Sequence, residues 1–445
     1  MRFSLDVLRA RKGDCLMLHY GTDDEPRLML IDGGPSSVYV PHLLPRIKEV
    51  HEAFGLDETQ ALPVDVVLVS HIDDDHIRGI LDLTKDQLGN NPDLRLRVES
   101  LWHNTFDDLL KTSSAKLLSG LGQDALASLA SNGHDPAFDD IDVEDADDEE
   151  VDQAVDVLAS ISQGLRLRDD REALEKKSGM QRQWRLNHGF DGQLILTKGK
   201  ADPVELDGGL KITVAGPMQQ ELDDLHEECA EWMREHQAGQ GKTAESMLAA
   251  FVDTSVPNLS SIVLFVEVEG KCMLLTGDAR GDRILQGLEL AGVLEAEGTR
   301  SIDILKVPHH GSDNNMTQGF FERLPARHYV FSGNGEHGNP ERETLKMLRD
   351  ARGAAADYEI HLTYPISEID KAREEEWNNQ QGREKKRKLK NPKTKKLVRE
   401  DWSAKKHSLE EFFKGNPEMA KKLRFVKADE PHLIDLLDKV SLKPE

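Results

Sequence analysis

Two packed β-sheets with helices outside is the fold class the sequence predicts, and three observations carry it. Short apolar runs come first and helical patterns follow, and this order occurs twice along the 445 residues. The apolar runs have the length of strands and end in clusters of Gly, Asp, Ser or His. A chain of this length can bury a large core, as one big domain with an extension or as two to three domains.

The elements follow in order. Residues 3–8 and 15–20 alternate or run apolar and are joined by Arg9-Ala10-Arg11-Lys12-Gly13-Asp14, and a third run, 27–31, ends in Asp32-Gly33-Gly34-Pro35. Gly-rich punctuation between such runs predicts an antiparallel opening. Leu43, Leu44, Ile47 and Val50 share helical spacing, so a helix is expected over about 39–53. A strand over 64–69 leads into His71 to His76, and a helix starts across Ile77 to Leu83. The strand 94–102 ends at Trp102-His103-Asn104.

An insert is expected over about 135–185. Its span Asp139 to Asp152 holds ten acids and no base, which predicts a solvated loop, and helical character returns over 151–185. Strands are expected at 192–197 and 210–215, then a charged helix at about 218–236. The run Ser261 to Val268, the turn Glu269-Gly270 and the run Lys271 to Leu275 read as a hairpin that delivers Thr276-Gly277-Asp278. Strand 302–307 delivers Val307-Pro308-His309-His310-Gly311-Ser312; strand 328–332 delivers Gly333 to Pro340, and a helix follows over about 341–352. This outlines a domain over 1–355 and a helical C-terminal extension over 356–445, whose segment 383–399 carries ten Lys or Arg and one acid.

Composition narrows the function classes. With 82 acids against 57 Lys and Arg, the net charge of -25 argues against a uniformly basic coat for nucleic acid, though a local basic patch can still steer an anion. Cys15, Cys229 and Cys272 are an odd number without ligand spacing, so neither a disulfide framework nor a thiolate zinc site is indicated. The first residues lack an apolar signal core and no stretch is long enough to span a bilayer, so a cytoplasmic protein with no membrane association is expected.

The densest chemistry lies at Ser70-His71-Ile72-Asp73-Asp74-Asp75-His76, directly after an apolar strand. Carboxylates packed this closely repel one another unless cations sit between them, and mixed imidazole and carboxylate groups are metal ligands. The plainer reading is an acidic helix start whose Asp side chains cap free N–H groups. Asp32-Gly33-Gly34, Gly277-Asp278 and His309-His310-Gly311 also end strands, so all can converge on one sheet edge, which favours the metal reading.

In this order the set resembles the metallo-β-lactamase superfamily, and within it the soluble domain of the competence DNA-uptake channel and its free-standing bacterial relatives. The loop His71-x-Asp73-x-Asp75-His76 and the motif Pro308-His309-His310-Gly311-Ser312 carry that resemblance, which covers roughly residues 1–350 apart from the acidic insert. It implies an α+β, four-layer αββα sandwich with metals at one sheet edge, followed here by the helical, basic extension. It also implies two divalent ions, Zn or Mn. His71 and Asp73 would hold the first, Asp75 and His76 the second, Asp278 would bridge, and His310 would be the last ligand. Asp75, His309 and His337 are the catalytic candidates, the two histidines as proton donors. Asp32 would orient the loop by hydrogen bonds. His103 at a strand end, and Asn258 and Ser260 in the segment where the superfamily carries another histidine, are expected behind the metals or against substrate. Asp73 replaces a family histidine, which adds hard oxygen character and favours Mn or a loosely held ion at the first position; Asn339 stands where relatives often have His.

The activity implied is hydrolysis by metal-activated water, with a phosphodiester as substrate, either single-stranded nucleic acid or a nucleotide. The basic 383–399 segment is either a solvated helix face or an arm for phosphate backbones. Hydrolysis of another ester, such as a phosphocholine ester, lactone or thioester, is one alternative. A non-catalytic role among protein partners in a bacterial defence system is the other.

Overall fold

A computed structural model describes residues 1–104, 148–220, 222–223, 261–314, 316–353, 355–390, 392, 397–428 and 430–440. Two mixed sheets form its centre, with helices against them. The first sheet joins β1 (Arg2–Val7), β2 (Leu16–Gly21), β3 (Pro26–Ile31), β4 (Leu62–Leu68), β5 (Leu96–Trp102) and β6 (Arg185–Leu186) in sequence order. The second runs from β7 (Val204–Leu206) through β8 (Leu210–Gly216), β9 (Val263–Val268), β10 (Lys271–Leu275), β11 (Ile302–Lys306) and β12 (Ala326–Phe331). It continues into β13 (Glu359–Leu362) and β14 (Leu423–Phe425), while β15 (Leu433–Asp435) lies beside β1 at the edge of the first sheet. Each sheet begins antiparallel and turns parallel: β3, β4 and β5 run together, as do β10, β11, β12 and β13.

Side-chain alternation divides the core into three clusters, because successive strand residues face opposite sides. Phe3, Leu5, Leu18, Met29, Val66, Leu264, Met273, Ile304 and Val330 come from both sheets and pack together between them. On the far face of the first sheet, Met17, Leu30, Val67 and Val98 meet α1 (Leu44–Ala53), α2 (Asp74–Leu88) and α3 (Asp148–Ser178) through Ile47, Ile80 and Leu167. On the far face of the second, Phe265, Leu274, Leu305 and Phe331 meet α4 (Gly281–Leu290), α5 (Gln318–Arg323), α6 (Arg342–Arg352) and α7 (Ile366–Lys390). Each such fully buried Leu or Phe contributes about 1.5–3 kcal/mol relative to exposure.

Two expectations change, at 192–197 and at 148–152. Residues 192–197 form no strand: the amide of Asn104 accepts from Ile195 N–H and donates to Ile195 C=O, both at 2.8 Å, taking the place of a neighbouring strand. Residues 148–152 open α3 instead of continuing a loop, whereas 139–147 and most of the expected 218–236 helix lie outside the described residues. The expected boundary at 355 is not a break in either sheet, since β13 and β14 extend the second sheet and β15 pairs with β1. The basic segment is partly tied down: Arg399 donates to Glu384 at 2.8 Å, and Lys385 and Arg383 lie 3.8 and 3.6 Å from Asp401 and Glu376. No described helix is long and apolar enough to cross a membrane.

Candidate metal centre

Parallel strands end on the same side, so the turns after β3, β4, β5, β10, β11 and β12 gather at one edge. Two close approaches of backbone bring the remaining pieces in. Gly13 lies so near Asp75 that a Cβ there would sit 1.8 Å from the Asp75 carbonyl oxygen; the turn before β2 therefore docks on the start of α2. Gly79 meets Gly33 equally closely, and Gly33 N–H donates to His76 C=O at 2.8 Å, which packs α2 onto the turn after β3. Ile262 N–H donates to Ser70 C=O at 2.9 Å and joins the two sheets at this point.

The sequence-predicted residues come together here. His76 Nε2 lies 3.3 Å from Asp278 Oδ1 and 3.3 Å from His310 Nε2; His310 Nε2 is in turn 3.3 Å from Asp278 Oδ2 and from Asp75 Oδ2. His71 Nε2 is 3.4 Å from Asp73 Oδ2 and 3.8 Å from Asp278 Oδ2, so Asp278 faces both groups. Asp73 immediately precedes α2 but its side chain caps no N–H, which removes the plain helix-cap reading for that carboxylate. Asp74 points away, accepting from Gln163 at 2.7 Å.

Three imidazoles are held from behind with Nε2 turned inward. Asp32 accepts from Ser70 N–H and Oγ–H at 2.7 Å each, and from His76 Nδ1 at 2.8 Å. Ser70 Oγ reaches His71 Nδ1 at 3.0 Å, and Asp14 Oδ1 lies 3.5 Å from His310 Nδ1. Carboxylate or hydroxyl partners of this kind fix the tautomer of a ligating histidine. Asp32, His309, His310 and His337 all hold positive φ, from 46° to 57°, a conformation uncommon outside glycine that concentrates where structure serves function.

Two members were not singled out from the sequence. Asp14 joins His76, Asp278 and His310 in a buried set whose ligand-type atoms all lie within 4.8 Å of one another. Lys306, only 1% exposed, pairs with Asp14, donates to Gly277 C=O at 3.0 Å and lies 3.7 Å from Asp278. The signals were a Gly-Asp pair in a tight turn and a lysine at the end of an apolar strand, each ordinary alone.

The other candidates fall around this set. His309, with a 19% exposed side chain, lies 3.9 Å from Asp278 at the rim. His337 Nε2 is 3.0 Å from Lys12 Nζ. His103 is buried, only 1% exposed, and is not on an open surface. Asn258 and Ser260 lie outside the described residues; Asn339 is buried, its side chain reaching His309 C=O at 3.4 Å.

Electrostatics match a cation site. Burial pushes Asp278 toward neutrality, but His310, His76 and His309 outweigh it and hold its pKa well below the usual carboxylate range. Burial also opposes charge on His310, yet Asp278 and Asp14 raise its pKa to about 10, and His76 is raised likewise by Asp278 and Asp32. The carboxylates require positive charge between them, which imidazolium protons or divalent ions can supply. Among the described residues, His71 Nε2, Asp73 Oδ1 and Asp278 Oδ1 are buried without hydrogen-bond partners, as metal-facing atoms would be. The described residues thus fit a metal ion, held by His76, Asp278 and His310 with Asp14 or Asp75, and His71 with Asp73 stands beside them.

The chain matches no protein-family model. Over 99 residues it is 28% identical to ComE operon protein 3 of Bacillus subtilis (strain 168), an alignment spanning 22% of this chain and 12% of that protein.

Proposed function

We propose that the chain is a metal-dependent phosphodiesterase of the metallo-β-lactamase fold, acting on single-stranded nucleic acid or nucleotides. The observation that carries it is the meeting of His71, Asp73, Asp75, His76, Asp278 and His310 at one strand-end edge with Nε2 atoms inward. The three core clusters agree with the four-layer sandwich of that superfamily, and the partial likeness to ComE operon protein 3 points the same way.

Divalent ions at such a centre, Zn or Mn, lower the pKa of water and neutralise charge on a phosphoryl oxygen. The chain's own groups supply the rest. His337 Nε2, on an exposed turn residue, lies 3.0 Å from the Lys12 ammonium, which can donate to its neutral ring. His337 thereby helps to position Lys12 toward a phosphate oxygen. His309 at the rim and His337 are the candidates for protonating the leaving oxygen. Lys306 offsets part of the carboxylate charge without occupying a ligand position.

The test is hydrolysis by the Mn²⁺- or Zn²⁺-loaded protein of a chromogenic phosphodiester and of single-stranded DNA and RNA, beside a lactone, a thioester and a phosphocholine ester. Phosphodiester cleavage that disappears in Asp278→Asn supports the proposal. Cleavage of carboxyl esters only, or of nothing while biological function survives Asp278→Asn, overturns it.

A further inference from the structure

We propose a second metal site, for one Zn²⁺-class ion, formed by His328, Glu359 and His361 on β12 and β13 and separate from the strand-end centre. Strand geometry creates it. His328 and Glu359 are direct partners in the parallel β12–β13 register, and His361 follows Glu359 by two residues, so all three share a face. Ile360 and Leu362 point to the helices on the far side, which turns this face toward the other sheet.

The three side chains converge on one point. His328 Nδ1 lies 3.1 Å from His361 Nε2 and 3.4 Å from Glu359 Oε2, and His361 Nε2 lies 3.7 Å from the same oxygen. Ligands about 2.0–2.1 Å from a tetrahedral zinc stand roughly 3.3 Å apart, the length these edges bracket. An imidazole–imidazole hydrogen bond accounts for the first distance but not for Glu359 Oε2 facing both rings. The remaining Glu359 oxygen is held by Arg424, and His361 Nδ1 lies 2.8 Å from His432 Nε2. These outer partners fix the carboxylate and the His361 tautomer, as they do around bound metals. With His328 14% and Glu359 33% exposed, solvent can supply a fourth ligand. Two nitrogens and one oxygen suit zinc better than the hard ions that oxygen-rich sites favour. Because His432 precedes β15 of the first sheet, a bound ion would also link the chain's last segment to the second sheet.

The test uses the full chain carrying His76→Gln and Asp278→Asn, which removes the strand-end centre. Titration with Zn²⁺ against a chromophoric chelator is expected to find one equivalent, and Co²⁺ the intense visible absorption of a four-coordinate ion. His328→Gln, at a half-buried position, removes both signals with circular dichroism unchanged, and His432→Gln weakens binding about 10-fold or more. If the doubly substituted chain does not fold, His328→Gln in the unsubstituted protein lowers the zinc stoichiometry by one. No equivalent in the folded double variant, or one that survives His328→Gln, overturns the site. Neither result depends on the proposed hydrolysis.

Discussion

The ammonium of Lys306 is buried against the carboxylate of Asp14, at the ends of strands from opposite sheets, inside a cluster of ligand-type groups. Burial opposes the charge on Lys306, but Asp14 and Asp278 keep it protonated with a raised pKa. Removing one partner of such a pair leaves an uncompensated buried charge. Lys306→Met is expected to cost about 3–5 kcal/mol in urea unfolding. Lys306→Met combined with Asp14→Asn should recover most of that loss; equal destabilisation by the double variant would mean the pair is not what matters.

Asp32 holds three donors, two from Ser70 and one from His76, without facing the other sheet's ligands itself. Asp32→Ala should therefore weaken divalent metal binding by roughly 10–100-fold, the usual loss when an outer partner of a ligating histidine is removed. Chelator competition measures it. Unchanged affinity would show that His76 is oriented by other contacts.

Burial lowers the His103 pKa to about 4, against 6.5 in its ordinary state. Between those values the unfolded chain binds a proton that the folded one refuses. The stabilisation is thus complete above pH 6.5 and is lost as pH falls toward 4, by up to about 3 kcal/mol. His103→Gln should flatten the acid limb of the stability curve over that window. A limb unchanged in the variant would assign acid sensitivity elsewhere.

Lys12 is positioned by His337 at 3.0 Å. A charge-assisted hydrogen bond contributes about 1.5–3 kcal/mol, so Lys12→Met is expected to raise KM for a phosphodiester about 10–100-fold while leaving metal content intact. A fall in kcat alone, with KM unmoved, would contradict a binding role.

Much of this candidate centre was legible because ligand-type residues crowd into one short loop: His71, Asp73, Asp75 and His76 announce themselves, and Asp278 and His310 sit at strand ends marked by glycine. Asp14 and Lys306 were hidden because their significance is topological. A turn aspartate and a strand lysine become site residues only when β2 and β11 are brought to the same edge. The integration of β13, β14 and β15 was hidden for a related reason. β13, β14 and β15 are three or four residues long, too short for periodicity to register, and their partners lie far away in sequence. Conversely, 192–197 has a strand's apolarity but meets an asparagine side chain where a strand would need a neighbour.

Anomalous diffraction from crystals grown with Mn²⁺ tests the central claim most directly. The account predicts a peak within bonding distance of His76 Nε2, His310 Nε2 and an Asp278 oxygen, absent in Asp278→Asn crystals. Well-ordered crystals of the folded protein with no peak among these side chains, under saturating Mn²⁺ and again under Zn²⁺, would contradict it.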